Sequence, residues 1–282
     1  MLAAATNGLL IGAAMVASRF ALEQMPPATL ALLRYSVGAL CLLPPLLLIR
    51  RQRFERRDLL PVALLGIAQF GVLIALLNWG LRFMPAARAS LIFATFPLLT
   101  MLLAAALRLE RMTLLRTAGV SLSFAGVAFV LGDKALGGEA GWWGEVAVFA
   151  SALTGAVCSV FYKPYVLKYP ALQVSWFAMV ASVAFLLPLA TGEGLFSQET
   201  RFDAAAWGAV LFVGLASALA YFLWLYALAR ISPTRVTVFV SVSPPAAALL
   251  GWALLGETLS PLFLLAVACL AFGLWLAQRP TS

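Results

Sequence analysis

Apolar residues come in runs of about twenty along this chain, and charges collect in the gaps between them. A transmembrane helix needs roughly 20 mostly apolar residues. Ten such runs can be drawn, at about 2–22, 28–49, 59–81, 86–107, 113–132, 142–163, 170–191, 205–228, 234–255 and 260–278. The runs are continuous rather than alternating. That suits helices, which satisfy their own backbone in lipid, and not the strands of a barrel. The gaps leave no room for a soluble domain. No basic segment or clear cleavage site marks the first run, so it reads as a retained span. The expected fold is an all-α polytopic membrane protein with ten transmembrane helices.

The polar landmarks repeat. Arg88/Arg235, Pro97/Pro244, Glu110/Glu257, Thr113/Ser260 and Gly126/Gly273 are each 147 residues apart. Arg19/Lys163, Pro26/Pro170 and Pro44/Pro188 share an offset of 144. A constant offset over so many landmarks indicates duplication of a unit of half the chain. The units are residues 1–134 and 141–282, with five helices in each. Five is odd, so the second unit enters the membrane from the opposite face. Two inverted five-helix repeats are a design of secondary transporters, in which exchanging the conformations of the halves opens a central site to the other side.

Composition agrees with a lipid-facing chain. Of 282 residues, 63% are hydrophobic and 11% charged, far from the quarter charged that is usual in soluble domains. The net charge of +8 does not mark a nucleic-acid binder, because the basic residues sit in loops. Thirteen Lys and Arg fall on one side of the predicted topology and five on the other, with Arg34 inside helix 2. The richer side is expected to be cytoplasmic, which places both termini inside. Cys41, Cys158 and Cys269 form no metal or disulfide pattern. Histidine is absent, no mid-span aspartate pair occurs, and no phosphate-binding loop is found. These features leave no enzyme mechanism and no cofactor to expect.

Several residues carry the resemblance to a known family. They are Leu33-Arg34 and Pro44-Pro45 of helix 2, the run Pro85 to Ser90, the Pro97 to Glu110 spacing, and Gly256-Glu257-Thr258-Leu259. Together they resemble the EamA repeat of the drug/metabolite transporter superfamily, over essentially the whole chain. Within it the chain is similar to bacterial inner-membrane amino-acid exporters of the YddG type. The resemblance implies export of aromatic and other small zwitterions, or of cationic compounds, across the inner membrane by alternating access. The expected partners are that substrate and the bilayer, with no nucleic acid and a monomeric carrier. A nucleotide-sugar or lipid-linked metabolite carrier of the same superfamily and a channel are the alternatives. Small four-helix relatives carry a carboxylate in their first helix; here that helix offers Thr6, Asn7 and Ser18. Without an acid deep in the membrane, the substrate is expected to move down its own gradient, or with weak coupling through its own charge.

Candidate site residues follow from their places on the predicted helices. Pro97 and Pro244 lie near the centres of helices 4 and 9 and deprive the Phe93 and Val240 carbonyls of helical donors. Those carbonyls are expected to face a midplane cavity, or else a neighbour such as Ser241 that satisfies a packing kink. Ser151, Thr154, Cys158, Tyr162 and Tyr165 form one stripe on helix 6. Thr154, Cys158 and Tyr162 are assigned to the cavity and Tyr165 to the interface. Tyr221 and Trp224 on helix 8 lie deep enough to stack on an aromatic or cationic substrate. In helix 3, Asn78 is preferred over Gln69, which points away from it on a regular helix. Asn7 is the candidate from helix 1. Arg34 invites an anion-site reading but is assigned to architecture, its stem snorkelling outward. Glu110 and Glu257 read as caps of the helices that follow them.

Overall fold

The computed structural model describes residues 2–49, 52–109, 113–136, 141–196, 202–257 and 261–278, with backbone alone for 2–8, 130–136, 238, 239, 277 and 278. The Asn7 side chain, Glu110 and Ser260 therefore lie outside the described residues. The described chain is helical throughout and contains no strand. In order, its segments are α1 (Leu2–Ala21), α2 (Pro27–Leu48), α3 (Arg56–Leu81), α4 (Ala86–Ala106), α5 (Leu114–Leu136), α6 (Trp143–Lys168), α7 (Ala171–Gly192), α8 (Ala204–Leu228), α9 (Pro233–Leu255) and α10 (Pro261–Gln278). Among the described residues, α2, α3, α4, α6, α7, α8 and α9 are long and apolar enough to cross a bilayer. Shorter apolar stretches occupy Leu9–Ala21, Leu114–Phe129 and Pro261–Leu276. Three segments outrun the apolar pattern. α5 runs on to Leu136. α3 starts at Arg56, and α6 continues past Lys163 to Lys168.

Proline sets several boundaries. Pro26 and Pro170 stand immediately before α2 and α7, and Pro85 before α4, where a missing N–H costs nothing. Inside the bundle, proline interrupts. α4 breaks between Phe93 and Phe96, just ahead of Pro97, with Thr95 N bonded to Ile92 O at 3.0 Å. α9 tightens to a 3-10 turn over Val238–Val242, just ahead of Pro244. A third irregularity has no proline: α3 widens to a π-helix over Ile67–Val72.

The packing has a rule. α5 lies against α10, and α2 against α7; α1 lies against α8 and α9, as α6 lies against α3 and α4; α2 meets α8, as α7 meets α3. Exchanging each helix for the one five places away turns this set into itself. The same exchange holds for atoms. A Cβ on Gly126 would sit 2.9 Å from Ala266 O, and one on Gly273 would sit 2.5 Å from Gly119 O. Each glycine lets the facing backbone approach, as small residues do where apolar contact with lipid gives no reason to associate.

Span ends are tied in the same paired fashion. Arg19 Nη1 donates to Leu81 O (2.8 Å), at the end of α3. Lys163 Nζ donates to Leu228 O (2.5 Å), at the end of α8. Carbonyls at a helix C-terminus lack internal donors and carry partial negative charge, so a cation there is stabilised. One bundle end is joined by Gln24 Nε2 donating to Asp203 (2.8 Å) and by the Glu193 carboxylate accepting from the N–H groups of Ala28 (3.1 Å) and Thr29 (2.8 Å). The other is joined by Lys168, which lies 2.5 Å from Glu55 and 2.6 Å from Asp58, and by Gln173, which exchanges two hydrogen bonds with the Gln52 backbone.

Glu257 corrects the sequence expectation. Its carboxylate accepts from Ala86 N (2.8 Å) and Ala87 N (3.4 Å), so it caps α4 from the other half of the chain rather than the helix that follows it.

The Lys168 cluster makes a pH prediction. The hydrogen bond from Lys168 holds the Glu55 carboxyl below the usual glutamate range, with Arg57 adding to the effect. A carboxyl depressed in the folded state stabilises above its unfolded pKa and loses that contribution as pH falls through the folded value. The melting temperature of purified protein is therefore expected to hold near neutrality and to fall as pH drops below about 4.3. Lys168→Ala is expected to flatten that acid limb when the same melts are repeated.

Candidate functional site

One internal cavity runs between the halves. α1 contributes Ile11, Ala14, Met15 and Ser18; α2 contributes Arg34 and Tyr35. α3 supplies Gln69, Phe70, Leu73, Ile74, Leu77 and Leu81, and the broken α4 supplies Phe93 and Phe96. From the second half come Ser217, Ala220, Tyr221 and Trp224 of α8, and Val240 of α9.

The irregular turns govern which side chains reach this space. Gln69 faces it because it lies in the π-helical segment, which changes the angular phase of α3. Asn78, preferred from the sequence, is placed elsewhere. It is fully buried and its Nδ2 donates to Pro27 O at 3.1 Å, tying α3 to the start of α2. Phe93 and Val240 line the cavity just ahead of the two helix-distorting prolines; Pro97 and Pro244 themselves are buried among helices.

An aromatic cluster closes one wall. Tyr221 is 4.2 Å from Phe70 and 5.2 Å from Trp224, centroid to centroid. Behind them Tyr162 is fully buried, 6.2 Å from the Tyr221 ring and 6.3 Å from Trp224. The edge-on angles of 72° and 89° are the favoured geometry for such pairs. Among the described residues, the buried Tyr162 and Tyr221 hydroxyls have no hydrogen-bond partner. None of the three α6 candidates lines the cavity: Tyr162 is buried behind Tyr221 and Trp224. Thr154 Oγ1 donates back to Ala150 O (2.8 Å), and Cys158 Sγ lies 3.8 Å from Leu65 O, just before the π-segment that begins at Ile67.

The polar chemistry of the cavity centres on a residue read from sequence as architecture. Arg34 donates through Nε to Ser217 Oγ at 2.6 Å, and Ser217 in turn donates to Val213 O at 2.5 Å. The guanidinium lies 5.5 Å from the Tyr35 ring centroid. Among the described residues, Arg34 is the one ionisable cation in the lining, and no aspartate or glutamate lines the space with it. Ser18 Oγ and Gln69 Oε1 are buried there without hydrogen-bond partners. The signal in the sequence was the charge itself, seven residues into an apolar helix, where an ionisable side chain is costly unless it faces protein or water. Among the described residues no group of three or more metal-ligating side chains forms. What the cavity offers is one positive charge, unpaired acceptors and aromatic faces.

The sequence matches the EamA-like transporter family over residues 1–132 and 142–278, once for each half. A "Probable terminal-alkyne amino-acid exporter" of Streptantibioticus cattleyicolor is 35% identical over 270 residues, covering 94% of this chain and 88% of the relative. The "Uncharacterized transporter YoaV" of Bacillus subtilis is 23% identical, with 95% and 92% covered. The "Uncharacterized inner membrane transporter YedA" of Escherichia coli is 26% identical, with 90% and 82% covered. One solved crystal structure superposes with a TM-score of 0.74 at 23% identity, over 98% of this chain and 95% of the other; that likeness speaks to the fold.

Proposed function

Because the chain belongs to the EamA-like transporter family, we propose that it is a secondary carrier, not an enzyme, that exports amino acids across the bacterial inner membrane by alternating access. On this reading it crosses the membrane ten times as two inverted five-helix repeats, residues 1–134 and 141–282, with both termini in the cytoplasm. The exchange rule in the packing supports the inverted arrangement, since helices five places apart take equivalent positions. The loop contacts support it too. Arg19 and Leu81 belong to one face of the alternating topology and Lys163 and Leu228 to the other, and neither of these two pairs joins opposite faces. The name given to the Streptantibioticus relative favours an amino acid as substrate.

The observation that carries the proposal is the cavity, which has walls from both halves and combines a cation with unpaired acceptors and aromatic rings. A site shared between halves is what alternating access requires. With no carboxylate in its lining, the site lacks the group that proton coupling ordinarily uses.

Purified protein in liposomes, assayed with radiolabelled amino acids, tests this. The expected result is saturable uptake, faster when unlabelled amino acid is preloaded on the other side, and unchanged when a protonophore collapses the pH gradient. Flux that neither saturates nor shows trans-stimulation points to a channel. Flux lost with the pH gradient removes the uncoupled mechanism.

A further inference from the structure

We infer that Arg34 is the receptor for the substrate's carboxylate, with Gln69 Oε1 accepting from its ammonium group. This rests on the reading of the chain as an amino-acid carrier and names the two atoms that select an α-amino acid.

A guanidinium has five N–H donors in a fixed fork. In Arg34 the Nε–H is committed to Ser217, which orients the group and leaves the outer edge, formed by the two Nη atoms, for another acceptor. Among the described residues, no carboxylate lies within ion-pair distance of that edge. A cation in a low-dielectric cavity is costly without a counter-charge. A planar carboxylate meets the fork with two parallel hydrogen bonds. The opposite need stands in the same space. Gln69 Oε1 is a buried acceptor with no donor, held there by the widened turn of α3.

One cation and one unpaired amide oxygen match a zwitterion in sign and number. A phosphate would call for further cations, and Arg34 is alone among the lining residues. The rest of the wall, with Leu73, Leu77 and Phe93, fits an apolar or aromatic side chain. A merely architectural Arg34 would need only Ser217, and one N–H serves that bond.

The test uses competition in liposomes. Counterflow of radiolabelled phenylalanine is measured against unlabelled phenylalanine, phenethylamine, which lacks the carboxylate, and 3-phenylpropionate, which lacks the ammonium. Wild type is expected to favour phenylalanine over phenethylamine by about tenfold or more, as loss of a charge-assisted pair implies. Arg34→Gln is expected to bring that ratio close to one, and Gln69→Leu to shrink the ratio against 3-phenylpropionate instead. Ratios do not depend on how much variant protein folds. Where Arg34→Gln is too slow for counterflow, the same ratios are read from ligand-induced thermal shifts of the purified protein. An unchanged phenethylamine ratio in Arg34→Gln, or a wild type that does not distinguish phenylalanine from phenethylamine, overturns the assignment while leaving the carrier reading intact. A wild type that moves no amino acid defeats the carrier reading, and this inference with it.

Discussion

Replacing Tyr221 and Trp224 together by alanine is expected to lower amino-acid flux by at least about fivefold per folded molecule, because a substrate ammonium or ring loses both aromatic faces, at about 0.5–2 kcal/mol each. The two rings are 5.2 Å apart and tilted by 30°, and both reach the cavity. They are also core residues, 7% and 6% exposed. The double alanine variant therefore loses stability as well, since truncating a buried aromatic costs about 3–5 kcal/mol in a closed core. Here the cost is less, because one side of each ring already borders open space. The pairing that separates the effects is Tyr221→Phe with Trp224→Phe, which keeps both faces and is expected to keep most of the flux. Initial rates normalised to monodisperse protein decide it. Equal rates in the alanine and phenylalanine variants would show that the rings only pack.

The second large effect is on folding. Gly66 faces α7 so closely that a Cβ would lie 2.6 Å from Ala178 Cα, against backbone that cannot swing aside. Gly66→Leu is expected to cost about 3 kcal/mol or more, the upper end for overpacking, a large part of the 5–15 kcal/mol that holds a typical protein folded. The yield of monodisperse protein and its melting temperature should both fall. Gly208→Leu is the control. A Cβ there meets nothing within 4 Å, so it introduces a similar side chain into the same chain with little expected effect.

Much of this architecture was legible because it is written in local chemistry. Long apolar runs become helices wherever they occur, and a proline removes a donor in any context, so the breaks ahead of Pro97 and Pro244 could be anticipated. Other features depend on partners far along the chain. Whether Arg34 snorkels outward or turns inward is decided by Ser217, 183 residues away. The capping role of Glu257 is decided by Ala86, 171 residues earlier. The widened turn in α3 has no proline to announce it. It is framed by contacts with other helices: Gly71 lies close against Phe185, and Cys158 against Leu65 O. Once that turn changes the phase of α3, Gln69 and not Asn78 reaches the cavity. A reading based on a regular helix therefore expects Asn78 at the cavity, where the structure has Gln69.

Arg19 on Leu81 and Lys163 on Leu228 are formed in one and the same conformation. A shutter that opens one face while its twin seals the other would be shut on only one side at a time. On the alternating-access proposal, these two contacts are fulcrums. Each joins a pair of helices into a lever that travels as a piece, α1 with α3 and α6 with α8. The bending needed to pass a solute from face to face is left to α4 and α9, whose rods are already cut at mid-depth.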